Sequence, residues 1–180
     1  KEALVSAVGS EEYYRVLHGY VPVGLAGAED DFRLEQDARE KYLEYNLEEA
    51  KALLAKAGYD ENNPLKIVYK YSQSQLHADV AQILQQMWGN AGIDCELQVV
   101  ESGVFYNQVD NGDFETSRYG YSAGDDPSQF LNLWTTGQQI VASVDDPVYD
   151  KMVDEAGYLA DHAEYMNALH AAERYLIEEN

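Results

Sequence analysis

The sequence predicts an α/β fold, a small mixed β-sheet flanked by helices, with residues 1–180 forming a single domain. Three observations carry this. Leu65-Lys66-Ile67-Val68-Tyr69-Lys70-Tyr71 follows Pro64 and alternates like a strand with a single buried face. Ile93, Cys95, Leu97 and Val99 alternate with Asp94, Glu96 and Gln98, which gives a second strand with those four side chains inward. Between them Leu76, Val80, Ile83 and Met87 fall at helical spacing, and Ala91-Gly92 ends that helix.

The other elements follow from punctuation. Ser10 caps a helix running to about His18, with Gly19 as its stop. From Tyr20 to Tyr45 no period holds, so this reads as a long surface excursion with one short helix. Asn46-Leu47-Glu48-Glu49 is a capping box, Leu47, Ala50, Leu54 and Ala57 share one helical face, and Gly58 closes the helix. A short helix follows Ser102, and Asn111-Gly112 turns the chain into a third strand, Phe114 to Tyr121. Asp126-Pro127-Ser128-Gln129 places a cap, a first-turn Pro and a Gln at the start of a helix reaching about Trp134. Asp146-Pro147 starts another, with Val148, Met152, Ala156 and Leu159 inward. Asp161-His162-Ala163-Glu164 is a further capping box, and Tyr165, Leu169, Ala172 and Leu176 form the inner stripe of the last helix.

Composition narrows the function. Twelve Lys and Arg against 33 Asp and Glu give a net charge of −21, a field that repels phosphate backbones and speaks against nucleic acid and anionic membranes as partners. No apolar run approaches the roughly 18 residues that span a bilayer. A chain that starts at Lys1 reads as a processed product or a piece of a longer protein. Cys95 stands alone, so neither a disulfide nor a thiolate zinc cluster forms within the chain, and its inward place on the second strand makes it a small buried hydrophobe.

The sharpest chemical motif is Gly120-Tyr121-Ser122-Ala123-Gly124, which fits the G-x-S-x-G turn of serine hydrolases. Asp145, Asp146 and then His162 or His170 follow in the required order, so a hydrolase using Ser122 is the alternative function. That elbow requires a helix starting directly after the serine, whereas the capping signals delay the helix to Pro127. Asp125 and Asp126 do not converge on one point, and Asp126 is already a cap. The acids around Asp110 and Asp113 lack the spacing of a calcium loop. The histidines at 18, 77, 162 and 170 form no i,i+4 pair and read as surface or capping residues. No metal or cofactor site emerges. The sequence holds 15 Tyr, and Tyr71, Tyr119, Tyr121 and Trp134 lie at or near strand ends, where α/β sheets gather ligands.

Taken in order, several segments resemble the peptide- and nickel-binding family of extracytoplasmic solute-binding proteins, the receptors of ABC importers. The carriers are Tyr45 to Tyr59 (Y-N-L-E-E-A-K-A-L-L-A-K-A-G-Y), the strand at 65–71, Ala81 to Trp88, Ala91-Gly92-Ile93-Asp94-Cys95-Glu96-Leu97, Gly112-Asp113-Phe114-Glu115, Gly120-Tyr121 and Asp126 to Leu131. The opening Ala3 to Gly19 and the closing Ala171 to Glu179 are similar to the flanking helices. The resemblance implies one lobe of a type II periplasmic-binding-protein fold, the second lobe of a two-lobe clamp whose first lobe belongs to the same parent chain. It also implies an extracytoplasmic place, often with a lipid anchor in the parent, and a membrane permease as partner. The cargo it implies is an oligopeptide or another small solute, with no catalysis.

The resemblance also implies where the ligand touches. One segment is the loop after the first strand, Ser72, Gln73 and Ser74, where dipeptide binders carry a basic residue that this loop lacks. The other is the turn Tyr121, Ser122, Ala123, Gly124 and Asp125, where Tyr121 stands for a Trp as an aromatic wall. There Gly124 or Asp125 occupies the place of an Asp that pairs with a peptide amine. A longer peptide, held mainly through its backbone, fits these departures.

Overall fold

A computed structural model describes residues 2–9, 16–36, 45–138 and 144–179. Along the chain run α1 (Glu2–Val8), α2 (Phe32–Glu35), α3 (Leu47–Lys56), β1 (Leu65–Ser72), α4 (Gln75–Ala91), β2 (Ile93–Val100), α5 (Ser102–Asp110) and β3 (Thr116–Ser117). They are followed by α6 (Ser128–Leu131), a 3₁₀ turn (Asn132–Trp134), α7 (Pro147–Ala156) and α8 (His162–Glu178). The chain folds as two compact units, residues 1–16 with 45–120 and residues 17–44 with 121–180.

The first unit is built on a sheet of order β2-β1-β3. Both pairings are parallel, Leu65 to Ser72 against Ile93 to Val100 and Tyr69-Lys70 against Thr116-Ser117. The α/β class stands, with a parallel rather than a mixed sheet. Parallel strands need helical crossovers, and α4 and α5 supply them. α4 opens on Ser74, whose hydroxyl accepts from His77 N at 3.2 Å, and closes on Gly92 at φ 92°. Its Ala81, Leu84 and Trp88 pack in one cluster with Ile67, Tyr69 and Tyr71 of β1 and Cys95 and Leu97 of β2.

β1 corrects the single-face expectation. As the central strand it is covered on both sides, and Lys70 is only 5% exposed. Its ammonium donates to the Asp113 carbonyl and lies 3.4 Å from the Asp113 carboxylate, so the buried charge is matched. β2 is an edge strand, and Val99, expected inward, is exposed at its end. The third strand, expected over 114–121, pairs only at Thr116 and Ser117. Next to it Glu115 accepts from Val68 N at 2.7 Å and the Thr116 hydroxyl donates to Val68 O at 2.9 Å, so side chains satisfy the β1 edge where a longer strand would have done so.

In the second unit Val21, Phe32, Leu131, Ala156, Met166 and Leu169 form one core cluster, and Tyr149, Val153, Ala172 and Leu176 another. α7 corrects its expected stripe. Tyr149, Val153 and Ala156 are buried, while Val148 and Leu159 are exposed. The Tyr149 hydroxyl donates to Leu131 O at 2.7 Å, which draws that ring inward and rotates the helix by one position from the apolar stripe. Asn46, Asp146 and Asp161 cap their helices as expected. The helix assigned from Ser10 to about His18 lies largely outside the described residues. Within them the chain is helical over Glu2–Val8, and Leu17 to Tyr20 is not helical.

Candidate functional site

In an open α/β sheet the crevice for a ligand lies at the carboxyl ends of the strands where the strand order reverses. Here β1 leads through α4 to β2 on one side, and the chain then returns through α5 to β3 on the other. The reversal falls at the ends of β1 and β3, within the first unit. The segment after β1 is Ser72-Gln73-Ser74, and the segment after β3 is Arg118-Tyr119-Gly120.

Each residue of the first segment has a distinct local part. Ser72 is 3% exposed, and its hydroxyl lies 2.6 Å from His77 Nδ1. Gln73 donates its backbone N–H to Val100 O at 2.8 Å, which ties the loop to the end of β2 and leaves the Gln73 side chain exposed. Ser74 is the α4 cap. Of these three expected contacts, Gln73 and Ser74 are exposed, Ser74 being engaged as the cap, while Ser72 is committed to the interior.

His77 and Arg118 are what the residue pattern missed. Arg118 Nη1 sits 2.8 Å from His77 Nε2. Among the described residues no carboxylate forms an ion pair with this guanidinium. The backbone carbonyl of Ser72 lies 3.2 Å from His77 Nδ1, so the ring is braced from β1 while it holds the arginine. Tyr119 stands next, its ring edge-on to Tyr106 at 6.0 Å and its hydroxyl 3.4 Å from the Asp110 carboxylate. The available signal was position, since the first turn after β1 and the first residue after β3 both border the reversal. Tyr71 instead packs under α4, stacked on Tyr69 at 6.2 Å.

The second expected segment belongs to the second unit. Tyr121 is 44% exposed, its ring edge-on to Phe130 at 6.3 Å. Ser122, Gly124 and Asp125 are exposed and Ala123 is half-buried. Gly124 N donates to Gln129 Oε1 at 2.5 Å, which bends the segment back onto α6. Asp126 accepts from Ser128 N and from the Tyr165 hydroxyl, both at 2.8 Å. Burial works to raise its pKa, but the Ser128 and Tyr165 hydrogen bonds and nearby His162 outweigh it and hold the carboxyl below its ordinary value. Trp134 packs in the core against Tyr20 at 4.4 Å and is no ligand wall.

The serine-hydrolase alternative fails on this geometry. The next helix begins only at Ser128, so the Ser122 hydroxyl does not stand on a helix N-terminus, and no elbow is formed. Among the described residues no three His, Cys, Asp or Glu side chains gather as a metal site, and no helix is long and apolar enough to cross a membrane.

Comparison with known proteins points one way. The family model described as bacterial extracellular solute-binding proteins, family 5 (middle), matches residues 1–141. The periplasmic murein peptide-binding protein MppA of Escherichia coli is 34% identical over 139 residues, 73% of this chain and 25% of that protein. The periplasmic oligopeptide-binding protein OppA of E. coli is 29% identical over 170 residues, 91% of this chain and 30% of that protein. The crystal structure of Haemophilus influenzae OppA in complex with the peptide RPPGFSPFR superposes with a TM-score of 0.69 at 29% identity, over 73% of this chain and 26% of that one. The chain thus spans between a quarter and a third of the length of these relatives. None of these comparisons points to a serine hydrolase.

Proposed function

As the chain belongs to the bacterial extracellular solute-binding proteins of family 5, we propose that it is a ligand-binding lobe that captures oligopeptides for an ABC importer. Residues 1–180 as one lobe, the first lobe of the same parent chain, the membrane permease as partner, and a periplasmic or lipid-anchored cell-surface place are all parts of this reading. So are the contacts expected at Ser72 to Ser74 in the first unit and at Tyr121 to Asp125 in the second.

The observation that carries it is Arg118. In a chain of net charge −21, a half-buried guanidinium at the sheet's switch point, held by an imidazole and by no acid among the described residues, is placed for an incoming anion. Arginine presents a planar fork that matches a carboxylate in two hydrogen bonds. A peptide's terminal or side-chain carboxylate supplies that group, which accounts for the absence of a basic residue in the loop after β1. Within the first unit, exposed Gln73 offers hydrogen bonding to the rest of a peptide.

Isothermal titration with the tripeptide Ala-Ala-Ala and its C-terminal amide tests the reading. The free acid binds more tightly, and Arg118→Gln weakens it by about tenfold or more while leaving the amide unchanged. Tyr121→Ala weakens both, by about threefold. No binding of either peptide to the wild-type chain, or equal binding of both with no effect of Arg118→Gln, overturns it.

A further inference from the structure

Charge is spread unevenly between the two units of this chain. Residues 1–16 and 45–120 hold 14 acidic and seven basic side chains, whereas residues 17–44 and 121–180 hold 19 acidic and five basic ones. Two thirds of the net −21 therefore falls on the second unit. Among its described residues the basic groups offset little of this. Arg33 is buried, and its guanidinium is committed to Glu173, itself 0% exposed. Lys151 lies 3.6 Å from Glu155, an exposed pair one helical turn apart and worth little in water. Arg174, exposed on α8, is the remaining basic residue described in this unit.

Placement adds to the count. α7 ends on Asp154 and Glu155, and α8 ends on Glu178 with Glu179 as its C-cap, neither helix having a basic residue in its last turn. A helix C-terminus carries partial negative charge, so acids there oppose the macrodipole. Asp150 and Asp154 stand one turn apart on α7 and line the same cavity with Tyr165, and like charges at that spacing repel. Before α2, Glu35 accepts from Glu29 N and Asp30 N, both at 2.5 Å, which draws its carboxylate into a run of three acids, Glu29 to Asp31.

Screening decides what these arrangements cost. Neighbouring charges on a helix face are about 5–6 Å apart. In 0.1 M salt the Debye length is about 10 Å, and the repulsion at that spacing is felt. In 1 M salt it is about 3 Å, and the repulsion largely disappears. Self-repulsion of a strongly charged chain destabilises its compact state, while the same charge keeps it soluble. Concentrated salt removes the first effect. We propose that this chain is built to work in about molar monovalent salt, and that the second unit is the part whose folding depends on that salt. On the extracytoplasmic place proposed above, the salt is that of the surroundings, whereas the folding requirement stands apart from the peptide reading.

Thermal unfolding of the full chain by circular dichroism between 0.1 and 2 M KCl, with amide hydrogen exchange at both ends of the series, tests this. The melting temperature rises by about 10 °C or more across the series. At 0.1 M the amides of α7 and α8 exchange about tenfold faster than at 2 M, while those of β1 and β2 change less. Concentrated salts also stabilise proteins by being excluded from their surface, and charge variants separate the two causes. Asp154→Lys combined with Glu179→Lys, both exposed at helix C-termini, melts about 3–5 °C above the wild type at 0.1 M, and the gap closes by 2 M. Asp154→Asn with Glu179→Gln gives about half that shift. A melting temperature that stays level between 0.1 and 2 M overturns the proposal, as does a salt response that is the same in the wild type and both variants. Exchange that quickens first in β1 and β2 overturns the assignment to the second unit.

Discussion

At Glu173 a carboxylate is sealed completely inside the second unit, at 0% exposure. One oxygen accepts from Tyr20 N at 2.6 Å and Val21 N at 3.0 Å, and the other accepts from Arg33. Gly19 makes room, since a Cβ there would lie 2.6 Å from Glu173 Oε1 and 2.0 Å from Arg33 Nη1. The group does what no apolar residue in α8 could, satisfying two backbone donors of the otherwise irregular 17–36 segment and neutralising a guanidinium. Glu173→Leu leaves Arg33 and both N–H groups buried without partners and is expected to destabilise by about 3–5 kcal/mol in urea unfolding. A loss under about 1 kcal/mol would mean that the pair is not closed in solution. Asp126 offers a pH counterpart. Its carboxyl sits below the ordinary 3.8 despite burial, because the Ser128 and Tyr165 hydrogen bonds and His162 outweigh desolvation. A depressed carboxyl contributes stability above its unfolded value and loses it as pH falls through the folded one. The melting temperature of the wild type therefore drops more steeply than that of Asp126→Asn between about pH 5 and pH 3. Parallel curves by circular dichroism would remove Asp126 from the acid transition.

The helix α4 shows how an element is set by its ends, and it carries a pair of substitutions of opposite sign. Gly92 lies at φ 92° with nothing within 4 Å of an added Cβ, so Gly92→Ala meets conformational strain alone and costs about 1–2 kcal/mol. Gly89, with equally open space but inside the helix, wastes backbone entropy, and Gly89→Ala stabilises by about 0.5–1 kcal/mol. Thermal melts of the two variants separate these effects, and shifts of the same sign would contradict the assignment of Gly92 as the helix stop. This is also the scale at which the sequence is most readable. Asn46, Ser74, Asp146 and Asp161 act on N–H groups two or three residues away, so caps and the bounds of β1, α4 and β2 follow from local chemistry. What fails is whatever a distant partner decides. β3 shrinks to Thr116-Ser117 because an edge strand with one neighbour gains pairing on one side only, and the Glu115 and Thr116 side chains already serve Val68. The inner face of α7 is settled by the Tyr149 hydroxyl reaching Leu131 O, which apolar periodicity does not encode. Lys70 reads as a solvent residue until Asp113 is seen to meet it. The candidate site divides in the same way. Exposure of Gln73, Tyr121 and Asp125 was legible as loop positions, whereas Arg118 and His77 lie 41 residues apart and meet through the pairing of β3 with β1.

For the whole molecule the decisive quantity is how much of a ligand this chain can cover. Its relatives are about three times as long, since the matched residues of the chain cover 25–30% of their length. On the proposed reading a peptide is clasped between two lobes, and these residues supply the contacts of one. The cost of immobilising a ligand, several kcal/mol or more, does not halve when the contacts do. Each 1.4 kcal/mol of missing contact is about tenfold in affinity, so the loss is steep. Charge adds to it for anionic ligands, because the chain that carries Arg118 has a net charge of −21. The isolated chain is therefore expected to bind short peptides in the high micromolar range or more weakly, with acidic peptides weakest at low salt and gaining as salt screens the field over its Debye length of about 10 Å at 0.1 M. Basic peptides change in the opposite direction. A protein carrying both lobes binds the same peptides far more tightly while keeping the Arg118→Gln and Tyr121→Ala penalties. Calorimetry on both proteins at two salt concentrations measures all of this. Tight binding by the isolated chain, matched by no gain from the first lobe, would show that its own surface completes the site and that the clamp reading is wrong.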